Sequence, residues 1–267
     1  MKDITQNDIK DNIPLACSSD NWCNGDIFIA GPCTVESLDQ MNKVVSKLTS
    51  NGITYIRGGA YKPLTFPYRN ENMYQLGAEA LEIFDQIKSK YSIAIVSELT
   101  HVKTIDRFIK SVDVIQIGSR NMYNYELLEA ASNSDRPVLL KRHFGASLRD
   151  WLGAAEYVLQ NNPRVILCER GITAPHTHQS TSRFIADIQV IPVAKKYTGL
   201  PIIFDPSHST FDRDIVPAMS RAAIAAGANG LIVETHPEPS KAAVDRLNAI
   251  SLDDCCDLYN SVRTSSN

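Results

Sequence analysis

The sequence lacks the features that mark membrane, secreted or disulfide-stabilised proteins. It has no uninterrupted run of about 18 apolar residues, the length of a membrane-spanning helix. Its N-terminus has no apolar segment behind basic residues, so it does not resemble a secretory signal. Six cysteines among 267 residues are too few for a disulfide scaffold. These absences favour a reducing compartment, and we expect a cytoplasmic location.

An excess of charge of one sign is lacking as well. The chain has 27 Lys and Arg residues against 30 Asp and Glu residues, a net charge of −3. This balance gives no electrostatic reason to expect nucleic acid or an anionic membrane as a partner. Hydrophobic residues make up 43% and charged residues 21%, as in ordinary globular proteins. We therefore expect a globular protein that acts on small molecules.

What the sequence does contain is a regular alternation of short apolar runs with helical patterns. Each run ends in glycine, proline or polar residues, and the eight runs are Ile27–Cys33, Ile53–Gly59, Ile93–Thr100, Val114–Gly118, Pro137–Arg142, Val165–Gly171, Pro201–His208 and Gly230–Pro237. Eight such units fit an α/β (β/α)8 TIM barrel. A doubly wound sheet is the alternative, but no glycine-rich phosphate turn follows the first run. We predict a single barrel domain over residues 27–267, behind an N-terminal extension of residues 1–26.

Several helices are indicated by capping and spacing. Ser37 and Gln40 have the spacing of a capping box at a helix N-terminus. The segments Leu148–Leu159, Asp214–Ala226 and Pro239–Leu247 have helical spacing of apolar residues. The adjacent pair Cys255-Cys256 is more typical of a helix than of a disulfide.

Side chains suited to metal binding follow the first and the last two predicted strands. Cys33 ends the first strand, His208 the seventh and Glu234 the eighth, and Asp245 lies in the loop or helix that follows. Barrel closure makes these strands neighbours, so the four side chains can converge. Singly, each residue is more often structural. Together they predict a site for one divalent metal ion of undetermined identity, such as Mn, Fe, Zn or Co.

Cations mark the other side of the same barrel mouth. They follow the intervening strands and are Arg57, Lys62, Arg120, Lys141 and Arg170. Cations next to apolar strand residues are costly to leave unpaired, so an anion is expected among them. Glu98 and Glu169 could pair with some of them. A small polyanion such as a phosphorylated carboxylate explains the surplus better.

Seven ordered motifs in the chain resemble a known family. They are Gly-Pro-Cys-Thr-Val-Glu-Ser (31–37), Arg-Gly-Gly-Ala-Tyr-Lys-Pro (57–63), Ile-Gln-Ile-Gly-Ser-Arg-Asn-Met (115–122), Leu-Leu-Lys-Arg (139–142), Ile-Leu-Cys-Glu-Arg-Gly (166–171), Asp-Pro-Ser-His (205–208) and Glu-Thr-His-Pro-Glu-Pro (234–239). The chain resembles 3-deoxy-D-arabino-heptulosonate 7-phosphate (DAHP) synthase. The similarity is to the short type I branch, close to KDO 8-phosphate synthase.

The resemblance implies a barrel enzyme that condenses phosphoenolpyruvate (PEP) with an aldose and forms a 3-deoxy-2-ulosonic acid and phosphate. The family's metal ligands fall on the four residues suspected above. Its PEP contacts fall on the five cations, and Glu98 falls near the reacting water. Lys62, Glu98, His208 and Cys33 are the implied catalytic residues. Barrels of this family form dimers or tetramers, so a homo-oligomer is expected.

The acceptor side departs from the family pattern. After the second strand the sequence reads Lys62-Pro63-Leu64-Thr65-Phe66, where the family places an arginine that grips erythrose 4-phosphate. The acceptor-side candidates are Leu64, Thr65, Arg69, His143, His176, His178 and Arg213. One interpretation is a paralogue that uses a different aldehyde acceptor, and an unphosphorylated aldehyde is one option. In the other, Arg69, Arg183 or Arg213 restores the grip from another direction and the acceptor is erythrose 4-phosphate.

Two further functions compete with the PEP-dependent condensation. Lys141 ends a barrel strand, so a Schiff-base aldolase is an alternative enzyme class. A barrel that binds a phosphorylated ligand without catalysis is the other alternative. Retention of all four candidate metal ligands argues against it, because a simple binding protein does not need an open metal site.

Overall fold

Eight parallel strands close into a barrel in the computed structural model, which describes residues 27–62, 75–175 and 184–263. The barrel strands are β1 Ile27–Gly31, β2 Tyr55–Arg57, β3 Ala94–Glu98, β4 Val114–Ile117, β5 Val138–Lys141, β6 Val165–Glu169, β9 Ile202–Phe204 and β10 Gly230–Glu234. Two short antiparallel strands outside the barrel, β7 Ile172–Thr173 and β8 Phe184–Ile185, were not predicted. The predicted (β/α)8 barrel is confirmed.

The strands follow one another around the barrel in chain order, and β10 pairs with β1 to close it. In this pairing Gly31 lies opposite Glu234. Around the barrel, Glu98 of β3 lies opposite Gln116, and Lys141 of β5 lies opposite Cys168. Because all strands run in one direction, their carboxyl ends meet at one mouth of the barrel.

The described helices surround the barrel. They are α1 Leu38–Ser50, α2 Ala78–Lys88, α3 Ile105–Ser111, α4 Tyr125–Ser132, α5 Leu148–Leu159, α6 Val190–Ala194, α7 Pro206–Thr210, α8 Val216–Ala225 and α9 Leu252–Arg263. Short 3-10 turns cover Val102–Thr104, Ser119–Asn121, Arg213–Ile215 and Pro239–Lys241. Among these helices, none has both the length and the apolar character needed to cross a bilayer.

The helix predictions agree in part with the structure. Ser37 caps α1, where its Oγ accepts a hydrogen bond from the Gln40 amide at 3.1 Å. Helix α5 has the predicted bounds, and the segment predicted over Asp214–Ala226 divides into a 3-10 turn and the shorter α8. Cys255 and Cys256 lie in α9 as free, buried thiols.

The predicted helix over Pro239–Leu247 is wrong. Helical structure there is limited to the 3-10 turn Pro239–Lys241. Asp245 adopts a left-handed backbone with φ of +53°, which a right-handed helix does not allow. The segment is a loop that brings Asp245 back to the barrel mouth.

Two apolar layers hold the barrel together. Side chains from alternating strand positions fill its interior, and they are Ile27, Ile29, Val96, Val114, Leu139, Ile166, Cys168, Ile203 and Ile232. Residues of opposite strand parity, such as Phe28 and Ile56, pack outward against the helices. The interior is therefore a packed core, and the open space lies above it, at the carboxyl ends of the strands.

Candidate active site

A cavity of about 710 Å³ opens at the carboxyl ends of the barrel strands. Its lining includes Cys33, Arg57, Lys62, Glu98, Gln116, Arg120, Lys141, Phe144, Arg170, Thr173, Phe184, His208, Phe211 and Asp245. All five cations predicted for the PEP site are in this set. The cavity therefore brings together residues that end or follow all eight barrel strands.

The four predicted metal ligands converge at one side of this cavity. Cys33, His208, Glu234 and Asp245 each offer a ligand atom, and these atoms lie within 4.8 Å of one another. Glu234 is the last residue of β10, and Cys33 lies two residues beyond β1, its neighbour strand. His208 lies in α7 rather than at a strand end as predicted, because the strand β9 already stops at Phe204.

The Cys33 thiol lies between the Asp245 carboxylate and the Lys62 amino group. Its Sγ donates a hydrogen bond to Asp245 Oδ2 at 2.9 Å and accepts one from Lys62 Nζ at 2.5 Å. Burial raises the pKa of Cys33 well above its ordinary value, and the nearby Glu234 carboxylate raises this pKa further. Burial acts to lower the pKa of Lys62, but the adjacent Cys33 and Asp245 raise it overall.

Glu234 supplies the observation that tests the metal assignment. Its carboxylate is fully buried, and neither oxygen has a hydrogen-bond partner within the described part of the chain. Oε1 lies 3.2 Å from His208 Nε2 and 3.2 Å from Arg57 Nη2. Buried carboxylate oxygens without hydrogen bonds are costly unless a cation compensates them. A divalent ion among these four residues fits that requirement.

Asp205 is a site residue that the sequence analysis did not select. Its buried Oδ2 lies 2.8 Å from His208 Nδ1 and 2.5 Å from Lys141 Nζ. Burial acts to raise the pKa of Asp205, but His208 and Lys141 hold it well below the ordinary value. Because Nδ1 is engaged, His208 presents Nε2 to the metal group, the usual arrangement of a carboxylate behind a metal-binding histidine. The sequence signal that could have found Asp205 is its position at the start of the motif Asp-Pro-Ser-His (205–208).

Two buried arginines of the cavity have unsatisfied nitrogen atoms. Within the described ranges, Arg57 Nε and Nη1 and Arg170 Nη1 have no hydrogen-bond partner. Burial lowers the pKa of Arg170, a sign that its positive charge is poorly solvated. Guanidinium groups in this state are suited to bind a phosphate or a carboxylate.

Carboxylates pair with several of the predicted cations. Arg57 lies beside Glu234, Lys62 beside Asp245 and Lys141 beside Asp205. The two acids considered in the sequence analysis have other contacts. Glu169 and Asp187 both pair with Arg142, at 3.0 Å and 2.7 Å respectively. Glu98 accepts a hydrogen bond from Gln116 Nε2 at 3.4 Å and lines the cavity.

The acceptor-side candidates are dispersed. His143 and Arg213 are absent from the described cavity lining: His143 accepts a hydrogen bond from the Gly145 amide, and Arg213 donates to the Arg246 carbonyl oxygen. Burial lowers the pKa of His143, and Arg170 lowers it further. The remaining candidates lie outside the described residues, and they are Leu64, Thr65, Arg69, His176 and His178.

Gly31 sets the contact between β1 and Arg57. It has φ of +151°, and a Cβ atom there would lie 2.1 Å from the Arg57 carbonyl oxygen. We expect Gly31→Ala to lower the free energy of unfolding by about 3 kcal/mol, through overpacking and backbone strain. Urea unfolding would measure the change.

Gly153→Ala is the matched control, because no atom lies within 4 Å of a Cβ placed at this position in α5. The control should raise stability by about 1 kcal/mol, since alanine favours a helix more than glycine does. Equal effects of the two substitutions would contradict the close approach at Gly31.

Comparisons with known proteins agree with this geometry. Residues 22–265 match the model of the DAHP synthetase I family. A phospho-2-dehydro-3-deoxyheptonate aldolase of Thermotoga maritima is 42% identical over 219 residues, which are 82% of this chain and 63% of that protein. The chain thus spans less than two thirds of this relative. A 2-dehydro-3-deoxyphosphooctonate aldolase of Rhodopseudomonas palustris is 30% identical, over 85% of this chain and 83% of that protein.

Solved structures show the same similarity. A crystal structure of the Thermotoga maritima DAHP synthase superimposes with a TM-score of 0.83 at 38% identity, covering 91% of this chain and 69% of that one. A truncated form of 3-deoxy-D-arabino-heptulosonate 7-phosphate synthase from the same organism gives a TM-score of 0.80 at 37% identity. This match covers 90% of this chain and 86% of that one.

Proposed function

The chain belongs to the DAHP synthetase I family, and on that premise we propose that it condenses PEP with an aldose to give a 3-deoxy-2-ulosonic acid and phosphate. The relatives are named for a heptonate and an octonate. Because PEP contributes three carbons, such products correspond to acceptors of four or five carbons. The observation that carries the proposal is the pair of buried, incompletely bonded arginines beside a four-residue metal group in one cavity.

The cationic side of the cavity would bind PEP. Arg57 and Arg170 have donor nitrogens available for its phosphate and carboxylate, and charge-assisted bonds of this kind are strong in a poorly solvated site. Lys62, Arg120 and Lys141 line the same space. The five cations together would compensate the charge of PEP and fix its orientation.

The metal group would hold the acceptor. When bound, a divalent ion would act as a Lewis acid that polarises the aldehyde of the aldose. Cys33, His208, Glu234 and Asp245 are the proposed ligands, and their mixed chemistry suits Mn, Fe, Zn or Co. Cys33 must lose its proton to bind, because the thiolate is the ligand form.

Bond formation would occur between the two sides. Carbon 3 of PEP attacks the aldehyde carbon, water adds to carbon 2, and the bond between carbon 2 and the phosphate oxygen then breaks. Glu98 lines the cavity at the end of β3 and is the proposed residue that orients this water. Lys62 lies next to Cys33 and Asp245, where it would donate a proton to the oxygen of the former aldehyde.

Phosphate release from PEP tests this proposal. The metal-loaded protein is incubated with PEP and a panel of phosphorylated and unphosphorylated aldoses of four and five carbons. We expect phosphate release that requires both an aldose and the metal, and that a chelator abolishes. Borohydride trapping of a covalent adduct on Lys141 would instead support the Schiff-base alternative and contradict the proposal.

Asp205→Asn is expected to weaken metal binding by about tenfold to a hundredfold, the usual effect of removing a carboxylate behind a metal-binding histidine. The asparagine keeps the shape but not the charge that holds His208 Nδ1 and Lys141. Calorimetric titration with Mn²⁺ measures the affinity without reference to activity. A dissociation constant equal to that of the wild type would show that Asp205 does not position His208.

We also propose that the protein is located in the cytoplasm and forms a homo-oligomer. The four described cysteines are free thiols, which supports a reducing, cytoplasmic location. Exposed aromatic side chains on the outer surface, Tyr123, Tyr125 and Tyr157, support a homo-oligomer, since such residues are enriched at subunit contacts.

A further inference from the structure

Two loops of the barrel mouth meet beside the metal group. The loop after β1 carries Cys33 and Glu36, and the loop after β10 carries Ala243 and Asp245. Cys33 Sγ donates a hydrogen bond to Asp245 Oδ2 at 2.9 Å. The Ala243 amide donates one to Glu36 Oε1 at 2.8 Å. The first bond joins two metal ligands, whose atoms an ion would occupy, whereas the second uses no ligand atom and can persist when metal is bound.

The loop after β10 is closed at its base by backbone hydrogen bonds. The His236 amide donates to the Ile250 carbonyl oxygen at 3.1 Å, and the Ile250 amide donates to the Glu234 carbonyl oxygen at 3.0 Å. Residues 237–249 therefore leave the barrel mouth and return to it. Asp245 lies several residues from this base, so the base alone does not fix its position.

The sequence of the segment Pro239–Leu247 favours a helix, but helical structure there stops after a single 3-10 turn. In an α-helix the Ala243 amide would donate to the Pro239 carbonyl oxygen. Here the Ala242 amide donates to that oxygen, at 3.3 Å, and the Ala243 amide donates to Glu36. Ala242 has ψ of +137°, so the chain leaves the helical conformation at this residue. The Glu36 carboxylate thus accepts the amide that a further helical turn would need.

Glu36 is itself held in place. Its backbone amide donates to Gln40 Oε1 at 3.0 Å, at the start of α1, and its side chain is only 24% exposed. Burial acts to raise the pKa of Glu36, but the nearby His236 and the Ala243 amide lower it overall. The carboxylate is therefore a charged acceptor at a fixed position.

His236 faces the same carboxylate oxygen. The Glu238 amide donates to His236 Nδ1 at 3.0 Å, so the ring proton is on Nε2. This nitrogen lies 3.4 Å from Glu36 Oε1. The contact is electrostatic, because Nε2 has no hydrogen-bond partner within the described part of the chain. It orients Glu36 towards the loop after β10.

Asp245 needs such support because its backbone is strained. Its φ of +53° lies in the left-handed region, and strain of this kind persists only where surrounding contacts enforce it. Cys33 and Lys62 contact the Asp245 carboxylate. Glu36 contacts the backbone of the same loop, at Ala243.

We propose that Glu36 is a positioning residue for Asp245: by accepting the Ala243 amide it keeps the loop after β10 out of a helical conformation and holds the Asp245 carboxylate in the metal group. This inference rests on the proposed metal group and deepens it. Glu36 is not one of the four residues that offer ligand atoms, so its effect on metal affinity must pass through Asp245.

A double-mutant cycle tests this dependence. Calorimetric titration with Mn²⁺ is carried out on the wild type, Glu36→Ala, Asp245→Ala and the double variant. We expect Glu36→Ala to raise the dissociation constant about tenfold in the wild-type background and less than about twofold in Asp245→Ala. An equal rise in both backgrounds, or no rise in Glu36→Ala, would overturn the inference alone. Failure of the wild type to bind Mn²⁺, Fe²⁺, Zn²⁺ or Co²⁺ would contradict the proposed metal group as well.

Two conservative variants identify the bond that matters. Glu36→Gln keeps an oxygen that reaches the Ala243 amide but loses the charge, and it should bind Mn²⁺ within about threefold of the wild type. Glu36→Asp keeps the charge and is one methylene too short, so its affinity should fall about as far as that of Glu36→Ala. The reverse order would contradict the role of the bond to Ala243.

Hydrogen exchange of the metal-free proteins, followed by mass spectrometry, reports on the loop without the metal. The Ala243 amide should exchange at least about tenfold faster in Glu36→Ala and Glu36→Asp than in the wild type, while β1 stays protected. Asp39→Ala is the control, because it removes an exposed carboxylate of α1 that pairs with Lys43 at 2.8 Å. It should change neither exchange nor Mn²⁺ affinity. Wild-type exchange at Ala243 in both Glu36 variants would overturn the inference.

Discussion

Cys33→Ala is expected to lower kcat for the condensation by about a thousandfold while the protein stays folded. The thiol is one of four ligand atoms within 4.8 Å of one another, so its loss opens the proposed metal site. A bound metal ion stabilises transition-state charge by several kcal/mol, and about 4 kcal/mol corresponds to a thousandfold change in rate. His208→Ala should have an effect of the same size.

Cys256→Ala provides the matched control, because it removes the same atom from another buried thiol, in α9. Both variants should show a similar small loss of stability in urea unfolding. Metal content, measured by atomic emission after dialysis, should fall in Cys33→Ala alone. Full activity of Cys33→Ala in metal-depleted buffer would contradict the metal assignment.

Arg170→Ala is expected to raise KM for PEP by about tenfold to a hundredfold. Its guanidinium is buried, with Nη1 unbonded within the described residues, and burial lowers its pKa. A charge-assisted hydrogen bond contributes about 1.5–3 kcal/mol, which corresponds to this range. Calorimetric titration with PEP would give the change in affinity directly.

Arg107→Ala is the control for the loss of an arginine. Arg107 lies on the exposed surface and pairs with Glu82 at 2.9 Å, and surface pairs of this kind contribute little. This variant should bind PEP like the wild type. If KM for PEP in Arg170→Ala stays within twofold of the wild-type value, the cationic side of the cavity has been misinterpreted.

The barrel could be predicted because its signals are local and repeated. Each strand is a short apolar run, and eight of them alternate with helices, so the closure that makes β10 and β1 neighbours follows from the fold class. The convergence of Cys33, His208 and Glu234 could be predicted from that closure, since all three follow strands that meet at the mouth.

Features that depend on tertiary contacts could not be predicted. The segment Pro239–Leu247 has helical spacing, but the left-handed Asp245 and the return of the loop to the mouth override it. Asp205 was missed because strand-end position alone does not show which partner a carboxylate has. The β7–β8 hairpin was missed because strands of two residues have no periodicity to detect.

The most direct test of the account is to run the reaction of PEP with an aldose in ¹⁸O-labelled water and analyse both products by mass spectrometry. Condensation with water addition at carbon 2 predicts equal amounts of a 3-deoxy-2-ulosonic acid and of phosphate that contains no ¹⁸O, because the bond between carbon and oxygen breaks. Phosphate that carries ¹⁸O, formed without a product containing a new carbon–carbon bond, would show simple hydrolysis of PEP at phosphorus and would contradict the account.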